Sequence, residues 1–517
     1  REDAYLGRQE EWMVTGKGYI SLPYWFVFEP KDLSVWGTYR KNDRERFSRY
    51  DARYATGETD FRNRFETTPS MSYNFGTKLT AGTPLLDLGE MTYSLDFNYT
   101  YEQSYASDRR SLYRLDGIGG EWASPDATDL GQLPSSRDAL AEAVDQANSY
   151  YTPQRSYAHT PKFSLYVSFP EGWGTLTADI SGRYRHDWLK DRRGERQAER
   201  SRRFHSWEPN VSYHIGIVTF IYDFKRTAPA LNNMLDVIDD SDPLNIWQGN
   251  PALRATGHHA MSLGMTKGRN DSQHNDRWAV TAKYDLFRHS IGLERTYDMG
   301  TGITRVQPKN IDGNWNAQLS GTYYSTPDRK QRFWFETRTD ASFAHSVDFA
   351  SAYGSGVSGR SSVDNFSLRQ SLSGRYLHKG LNLSAKASAD WNYATSERPG
   401  FSTINAVDFQ YGVSATVPLP WDMEVGTDLT MYSRRGYADP SMNTDDLVWN
   451  MRISKSMLPR RNLTVFVDGF DILGQLSNIR RVINAQGRTE TWYNTVPRYF
   501  MVHLIYRLNR EPKKKTE

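Results

Sequence analysis

Apolar and polar residues alternate strictly along much of the chain. Between Met91 and Glu102 every odd position is apolar or aromatic, and every even position is polar. The alternation recurs in segments 162–169, 176–184, 315–323, 381–392 and 409–417. Because successive side chains of a strand point to opposite faces, this pattern predicts two-sided β-strands.

The length of these segments separates two kinds of β protein. Strands of soluble proteins usually have about 5–6 residues, whereas these run for roughly 10–14, which suits a tilted bilayer crossing. A soluble sandwich or propeller remains the alternative, but blades repeat every roughly 40–50 residues, and no such repeat is present. We therefore predict an all-β fold, a large antiparallel transmembrane β-barrel of the outer-membrane type.

The connections between the alternating segments are short and long in turn. Tight turns are expected at 170–174, 378–380, 418–422 and 458–461. The long polar connections are about 43–65, 106–159, 189–201, 226–257, 346–363, 394–402, 435–445 and 473–497. Outer-membrane barrels have short periplasmic turns and long extracellular loops. The last strand then runs inward, and the C-terminus, with a basic tail at 510–517, lies in the periplasm.

About 19 strands can be assigned within a barrel domain at 1–509. They are 17–28, 33–42, 66–80, 89–105, 160–170, 174–189, 202–214, 217–226, 258–270, 276–296, 301–325, 330–346, 364–377, 381–394, 402–416, 422–434, 445–457, 461–472 and 498–508. Single-chain bacterial barrels have an even number of strands, so we expect further strands upstream of Arg1.

One helix is predicted within the longest connection. Ser135 and Ser136 precede Arg137–Asn148, where Leu140 and Val144 share a face. Serine is a favourable N-cap, and alanine and glutamate favour the helix. This segment either contacts a ligand over the barrel mouth or folds only onto its own loop.

Composition narrows the functional classes. The chain has 14% aromatic residues, with 32 Tyr and 15 Trp, and outer-membrane barrels carry aromatic girdles at both interfaces. The net charge of +3 gives no signature of nucleic-acid binding. The absence of Cys excludes disulfides and thiolate chemistry. No run approaches the roughly 18–20 apolar residues of a membrane helix.

Two regions resemble a known family. Asp242-Pro243-Leu244 followed by Gly249-Asn250-Pro251-Ala252-Leu253 resembles an outer-loop motif of TonB-dependent outer-membrane receptors. The C-terminal region 467–475, followed by 497–501 and 506–509, is similar to their closing strands, with Gly474 and Leu508 as small departures. The resemblance implies a barrel of about 22 strands, filled by an N-terminal plug and coupled to TonB. Nothing in 1–66 resembles the plug or the TonB box, so we expect both upstream.

A barrel of this size encloses a lumen too wide for its own side chains to fill. The expected inward positions are charged and include Asp96, Asp179, Arg183, Arg338, Lys386, Asp390 and Arg452. Such a lining stays hydrated, so a plug or a partner chain is expected in the lumen.

The terminal strand carries an apolar face. Its residues are Phe500, Val502, Leu504, Tyr506 and Leu508, and with Tyr499 they form the expected insertion signal. In the resembled family this strand is an insertion signal for the barrel-assembly machinery, although these side chains also suit simple contact with lipid.

Candidate ligand residues lie in the long connections: Tyr150, Tyr151, Arg226, Asn232, Trp247 and Asn250. A weak calcium candidate consists of Asp236, Asp239, Asp240 and Asp242, which lack EF-hand spacing. Six arginines at 192–203 could contact lipopolysaccharide phosphates or remain solvated. His258 and His259 point to opposite faces of a strand and cannot chelate one ion together. We predict no cofactor and no catalytic constellation, and hence no enzyme.

Two functions remain open. The first is TonB-dependent uptake of a large, scarce solute such as a siderophore, glycan or peptide, with outer-membrane lipid and lipopolysaccharide around the barrel and a surface lipoprotein as a possible cover. The second is a plugless barrel that serves as a scaffold subunit of an outer-membrane complex.

Overall fold

The computed structural model describes most of the chain. The described residues are 2–4, 10–20, 29–53, 59–124, 131–240, 242, 244–270, 275–298, 300–351, 358–398, 401–438, 440–458, 461–475, 479–484, 487–492 and 498–507. Predictions for Leu508, the tail 510–517 and most of the first strand at 17–28 lie outside them.

β-Strands dominate this part of the chain. They are β1 (Glu2–Ala4), β2 (Glu10–Ile20), β3 (Glu29–Asp43), β4 (Glu45–Arg53), β5 (Thr59–Thr67), β6 (Ser70–Gly82), β7 (Leu86–Leu88), β8 (Met91–Arg114), β9 (Tyr150–Ser168), β10 (Thr175–Arg193), β11 (Arg196–Ile215), β12 (Val218–Thr227), β13 (Ile238–Asp239), β14 (Asn245–Gln248), β15 (Thr256–Asn270), β16 (Asn275–Arg288), β17 (Ser290–Tyr297), β18 (Thr304–Ile311), β19 (Trp315–Thr326), β20 (Phe333–Ser351), β21 (Ser358–His378), β22 (Leu381–Ser396), β23 (Ile404–Leu419), β24 (Met423–Arg435), β25 (Asp445–Met457), β26 (Leu463–Phe470), β27 (Ile479–Asn484), β28 (Gly487–Trp492) and β29 (Tyr499–Tyr506).

The helical elements are few and short. One α-helix, α1 (Arg137–Glu142), is present among the described residues, with 3₁₀ turns at Leu115–Ile118, Gly120–Ala123, Leu231–Met234 and Pro440–Met442. No helix in the described ranges is long and apolar enough to span a bilayer.

Most strands belong to one sheet of 23 strands. Four of them, β1, β4, β5 and β7, are short or lie in predicted connections, and the other nineteen overlap the strands expected from the sequence, β2 only at 17–20. The ladders are antiparallel, as in β9–β10–β11, where Ala178 pairs with both Leu165 and Val211. The predicted all-β fold with a large antiparallel sheet is confirmed.

Contacts divide the chain into two compact units. The first comprises 1–261, 285–314 and 347–361, and the second comprises 262–284, 315–346 and 362–517. In each unit the strands expose large apolar side chains on one face, such as Phe163 and Ile180 in the first and Tyr411 and Val413 in the second. Exposure of one continuous apolar face is what contact with lipid requires.

Several strands extend well beyond the predicted ends. β8 continues to Arg114 and β9 begins at Tyr150, so the predicted connection at 106–159 is shortened to 115–149. The predicted loop at 189–201 is wrong: β10 and β11 pair up to Arg193 and Arg196, and Gly194 turns the chain with φ +52°. Continued backbone pairing makes hydrogen bonds there, although the side chains no longer alternate. Likewise, β4 and β5 form a hairpin in the predicted loop at 43–65.

Two predicted strands are interrupted. The predicted strand 276–296 breaks at His289, which has φ +52° and whose backbone N–H donates to Asp312 Oδ1 at 2.6 Å. The predicted strand 301–325 breaks at 312–314, where Gly313 has φ +116°. Beyond these breaks, β17 and β18 leave the large sheet and pair with each other in a separate four-stranded sheet with β13 and β14.

The predicted helix begins at the expected residue but ends early. The Ser136 hydroxyl accepts a hydrogen bond from the Ala139 N–H at 3.4 Å, and the helix ends at Glu142 rather than Asn148. Val144 instead bridges to Tyr113, and the Asp145 N–H donates to the Leu112 carbonyl. Pairing with the end of β8 therefore competes successfully with further helix.

We expect Ser136→Ala to weaken α1 by about 1 kcal/mol, because an N-cap hydroxyl satisfies a free N–H of the first turn. Hydrogen–deuterium exchange should accelerate at 138–142 and remain unchanged in β9. Ser135→Ala is the matched control, and equal acceleration in both variants would contradict the cap assignment.

Candidate functional site

The connection after β12 folds over the end of β10 and β11, and we call residues 228–255 the loop platform. It contains the 3₁₀ turn Leu231–Met234 and the strands β13 and β14. β14 pairs in parallel with β18, Ile246 lying opposite Arg305. A connection that the sequence shows only as polar is thus tied to a segment about 60 residues away.

The loop platform has its own hydrophobic core. Leu231, Met234, Leu235 and Leu253 pack with Leu189 of β10, and all five side chains are buried. Leu189 shares a face of β10 with Asp179, Arg183, Asp187 and Asp191, which is the polar face of the strand. The platform therefore covers the polar face at the end of the sheet where the long connections lie.

The glycine and asparagine of the resembled motif hold the platform together. A Cβ atom at Gly249 would lie 1.8 Å from the Leu235 carbonyl oxygen. The Asn250 N–H donates to the Asn233 carbonyl at 2.7 Å, and its side-chain amide donates to the Pro308 carbonyl at 2.9 Å. Its Oδ1 accepts from the Ala252 N–H at 3.0 Å. Asn250, predicted as a ligand residue, therefore uses its hydrogen-bonding groups within the loop.

The other predicted ligand residues are placed differently. Trp247 is half-buried in β14, where it lies opposite Asp239 and Val306. The Arg226 guanidinium lies 5.8 Å from the Phe204 ring centroid. Asn232 is exposed on the platform. Of these three, only Asn232 presents a largely free side chain to solvent.

Tyr150 and Tyr151 begin β9 beside the platform. The Arg193 guanidinium lies 5.0 Å from the Tyr150 ring centroid, a cation–π distance. The Tyr151 hydroxyl lies 3.2 Å from the Tyr105 hydroxyl, and the Tyr151 ring remains exposed. Tyr151 lies opposite Arg192, on the apolar face of the sheet, whereas Tyr150 lies with Arg193 on the face that the platform covers.

A buried ionic cluster lies beneath the platform. Asp187 is fully buried, and its carboxylate accepts hydrogen bonds from the Ser156 hydroxyl at 2.7 Å and from Arg185 and Arg202 at 2.5 Å each. Arg202 also donates to the Pro229 carbonyl in the platform. One carboxylate thus joins β9, β10 and β11 to the loop above them.

A second series of charges ties the platform to β8. Asp239 Oδ2 lies 3.4 Å from Arg193 and 3.8 Å from Arg110. Arg110 continues to Glu66 at 2.7 Å, and Arg193 to Asp191 at 3.0 Å. The signs alternate along the series, so the contacts are mutually attractive.

This arrangement argues against the weak calcium candidate. Asp239 faces two arginines, Asp242 accepts from the Leu244 N–H at 3.1 Å, and Asp236 accepts from Gln248 at 3.3 Å. These acids, with Asp240, do not converge, and the described residues hold no group of three acidic, His or Cys side chains suited to a metal ion. Carboxylates engaged by arginine or by backbone N–H groups are poor Ca²⁺ ligands, since each would have to lose its partner.

We therefore expect millimolar Ca²⁺, or its removal with a chelator, to leave the thermal unfolding midpoint and the exchange of 228–255 unchanged. Asp239→Asn should in contrast accelerate exchange in the platform, because Arg110 and Arg193 lose their shared carboxylate. Asp240→Asn, the adjacent exposed acid, is the control. Protection of the platform by Ca²⁺ would restore the calcium hypothesis.

The arginines of 192–203 divide into two groups. Arg193 and Arg202 are engaged in the ion pairs above, and Arg200 donates to the Pro251 carbonyl at 2.9 Å. The remaining three, Arg192, Arg196 and Arg203, are exposed. Half of the predicted basic loop therefore holds the platform, and the other half faces solvent.

The predicted lumen-lining residues lie on the polar face and most form ion pairs. In the first unit, Asp179 pairs with Lys162 at 2.8 Å and Arg183 with Glu208 at 3.3 Å, while Asp96 lies opposite Ser164. These contacts lead along β10 to Asp187 below the platform. Charged groups therefore follow one another from the sheet to the loops.

The second unit has a similar polar face. Its ion pairs are Arg338–Asp340 at 2.6 Å, Arg369–Asp390 at 2.5 Å, Arg452–Asp468 at 2.5 Å and Lys386–Asp428 at 3.8 Å. Arg338 and Asp390 line one polar cavity of about 550 Å³ together with Lys283 and Gln318. Such a surface binds water and hydroxyl-rich solutes rather than lipid.

His258 and His259 contact different strands. His258 Nε2 lies 2.7 Å from Asp285 Oδ1 in β16, and His259 Nδ1 lies 3.0 Å from the Tyr222 hydroxyl in β12. The two rings therefore do not converge on one ion.

The apolar face of the terminal strand is exposed as predicted. Phe500, Val502, Leu504 and Tyr506 have between 55% and 72% of their surface exposed. The opposite face includes His503, which stacks on Phe466 at 4.4 Å and lies 3.2 Å from Asp468. Exposure suits contact with lipid and leaves the insertion signal a prediction.

Comparison with known proteins agrees with an outer-membrane β-barrel. Residues 160–376 match the model of the Outer membrane protein beta-barrel family. A search of curated proteins finds no significant match. The match and the antiparallel sheet with its lipid-type face support a location in the bacterial outer membrane.

Solved structures with a similar fold are remote in sequence. The ferric citrate transporter FecA, unliganded, has a TM-score of 0.45 at 11% identity, with 96% of this chain and 61% of that chain covered. The siderophore receptor PirA from Pseudomonas aeruginosa has a TM-score of 0.36 at 9% identity, with 97% of this chain and 77% of that chain covered. The outer-membrane transporter YddB from Escherichia coli has a TM-score of 0.35 at 10% identity, with 96% of this chain and 75% of that chain covered. The chain thus spans less than two thirds of FecA.

Proposed function

We propose that this chain is the barrel of an outer-membrane receptor that imports a large, scarce solute by a TonB-dependent mechanism. The observation that carries the proposal is the platform itself. The platform is an ordered loop with its own core, and it is anchored over the polar face of β10 and β11. A series of charged groups runs along β10 and ends beneath it. A loop that served only to connect two strands would not need this anchoring.

The platform offers the chemistry of a first contact for a polar solute. Asn232, Tyr150 and the exposed Arg196 lie on the platform side of the sheet and offer amide, aromatic and cationic groups. These groups suit an anionic or hydroxylated solute, because guanidinium groups bind oxyanions and tyrosines stack on flat or sugar-like surfaces. Siderophores, glycans and peptides all fall within this chemistry.

The proposal requires a plug and a TonB-binding segment. A closed barrel of about 20 strands would enclose a wide lumen, and the polar face is charged, so we propose that an upstream plug occupies this lumen and that further strands complete the barrel of 1–509. In this orientation the long connections face outward and the tail 510–517 lies in the periplasm. The last strand is recognised by the barrel-assembly machinery during insertion. Lipopolysaccharide and a surface lipoprotein contact the end of the barrel that carries the long connections.

The test is uptake by whole cells that carry the natural gene. Accumulation of the solute should require the gene, TonB and the proton gradient, and should be lost in cells that have the gene but lack TonB. Solutes are first found by binding to the purified protein, with Asn232→Ala expected to weaken binding. Uptake that persists without TonB would contradict the mechanism.

The alternative is that the chain is a scaffold subunit in a larger outer-membrane complex. This alternative is kept because the sequence resembles only the barrel part of TonB-dependent receptors. The intact mass of the protein purified from outer membranes distinguishes the two. A mass clearly above 59.5 kDa favours a single-chain importer with its plug. A mass of 59.5 kDa, with a second chain retained in stoichiometric amount, favours the scaffold.

A further inference from the structure

The apolar face of the second unit contains a recess. It has a volume of about 1040 Å³, and its floor includes three small residues, Gly374, Ala385 and Ala415. Gly374 lies opposite Ala385, and Leu383 lies opposite Ala415, so the floor spans β21, β22 and β23. Small residues at these neighbouring positions leave a depression that is bordered by larger apolar side chains.

Large apolar side chains form the walls. Phe333 packs on Tyr376 with ring centroids 4.6 Å apart, and Val413 and Leu429 line the recess further along the strands. Trp449 also lines it, and its indole N–H donates to Thr427 Oγ1 at 2.9 Å. The indole N–H of the wall is therefore satisfied, and the apolar side chains of the recess suit a hydrocarbon chain.

One end of the recess reaches the turn between β19 and β20. Pro327 and Phe333, which flank this turn, both line the recess. The turn carries Arg329, Lys330 and Arg332 against the single acid Asp328, which is bonded to the backbone N–H groups of Arg332 and Phe333 at 2.7 and 2.9 Å. The turn is therefore strongly cationic.

A neighbouring turn adds a further cation. The Leu377 N–H donates to the Arg332 carbonyl at 2.8 Å, which holds the end of β21 against the first turn. The exposed Lys379 follows directly in the turn between β21 and β22. Arg329, Lys330 and Lys379 are all exposed, so their charges are available at the mouth of the recess.

We propose that this recess is a binding site for one anionic phospholipid, whose acyl chain fills the recess and whose phosphodiester headgroup is bound by Arg329, Lys330 and Lys379. The hydrocarbon part is recognised by shape, and the headgroup supplies selectivity, because cationic side chains next to a membrane attract anionic lipids. The site lies at the end of the strands that carries the short turns. In the proposed orientation this end faces the periplasm, next to the inner leaflet of the outer membrane, which consists of phospholipid. It goes beyond the proposed import and does not depend on the solute.

The test is native mass spectrometry of the detergent-solubilised protein titrated with dioleoyl phosphatidylglycerol or dioleoyl phosphatidylcholine. We expect at least tenfold preference for the anionic lipid at the first bound equivalent. The triple variant Arg329→Gln, Lys330→Gln, Lys379→Gln should lose this preference. The control variant Arg192→Gln, Arg196→Gln, Arg203→Gln removes the same charge from the β10–β11 hairpin of the first unit and should retain the preference.

A second pair of variants tests the recess. Ala385→Phe should reduce the binding of both lipids at least tenfold by filling the floor, whereas Ala387→Phe, two residues along the same exposed face, should not. Equal effects of the two substitutions, or a headgroup preference unchanged in the cationic-turn variant, would overturn the proposal. Stronger binding of lipopolysaccharide than of phosphatidylglycerol, lost in the cationic-turn variant, would assign the site to the other leaflet and overturn it too.

Discussion

Replacing Gly249 by alanine is expected to unfold the loop platform while leaving the large sheet intact. The new Cβ would meet the Leu235 carbonyl oxygen at 1.8 Å, with the Asn233 carbonyl oxygen a further 3.2 Å contact. Both acceptors are backbone atoms, and Leu235 is anchored in the buried cluster of the platform. Overpacking usually costs about 1–3 kcal/mol and occasionally more, and we expect the upper end here because no side chain can yield.

Hydrogen–deuterium exchange and limited proteolysis measure this effect directly. Exchange at 228–255 should approach that of an unfolded loop in Gly249→Ala, and proteolysis should cut there first. Gly257→Ala is the matched control, since its Cβ would meet its nearest neighbour, a Phe224 ring carbon, at 3.5 Å, an ordinary contact. Similar protection in the two variants would show that Gly249 is dispensable.

The same variant separates structure from function. If the platform binds solute, Gly249→Ala should abolish binding, although the protein still inserts into the membrane and shows the heat-modifiable gel mobility of a folded barrel. Asn232→Ala should weaken binding with the platform still protected from exchange. Binding that survives loss of the platform would place the solute site elsewhere.

The strands could be predicted from the sequence because one physical rule governs them. A strand with lipid on one face and water on the other must alternate, as Leu381–Trp391 does, and the alternating segments of the sequence all fall in strands of the large sheet. Beyond the membrane the rule ceases, because both faces contact water or other loops. The outer half of β9, which begins Tyr150-Tyr151-Thr152-Pro153, does not alternate, and its pairing with β8 could not be predicted.

The breaks in β16–β17 and β18–β19 illustrate a second limit. His289 adopts φ +52°, a conformation that non-glycine residues rarely adopt, and it is held there by Asp312. The side chains involved are 23 residues apart. Local sequence does not reveal a strained residue whose stabilising partner is distant, so the alternation appeared continuous across it.

Asn250 was predicted to contact a ligand, and in the structure its side-chain amide makes hydrogen bonds within the loop. Asn side chains are enriched both where ligands bind and where loops need an extra hydrogen bond to the backbone. Only the positions of the Pro308 and Asn233 carbonyl groups decide between the two roles. The buried Asp187 was not singled out, because its partners Ser156 and Arg202 are 31 and 15 residues away in the sequence.

Asp187→Ala is expected to destabilise the protein by about 3–5 kcal/mol, the cost of removing one partner of a buried ion pair. The carboxylate has no exposed surface and accepts three hydrogen bonds, from Ser156, Arg185 and Arg202. The Arg202 side chain is only 14% exposed, so bulk water cannot replace the hydrogen bond that its guanidinium group loses. The free energy of unfolding in urea, followed by tryptophan fluorescence in lipid bilayers, measures the loss.

An exposed ion pair provides the comparison that tests the reason. Asp422 and Arg461 lie 2.6 Å apart, but 48% and 70% of their side chains are exposed, and such pairs contribute little. Asp422→Ala should therefore change stability far less than Asp187→Ala. The double variant Asp187→Ala, Arg202→Met should recover part of the loss, because the unpaired buried cation is removed together with its partner. If Arg202→Met adds its own full cost to that of Asp187→Ala, the two residues act independently, and the anchoring of the platform through this pair is wrong.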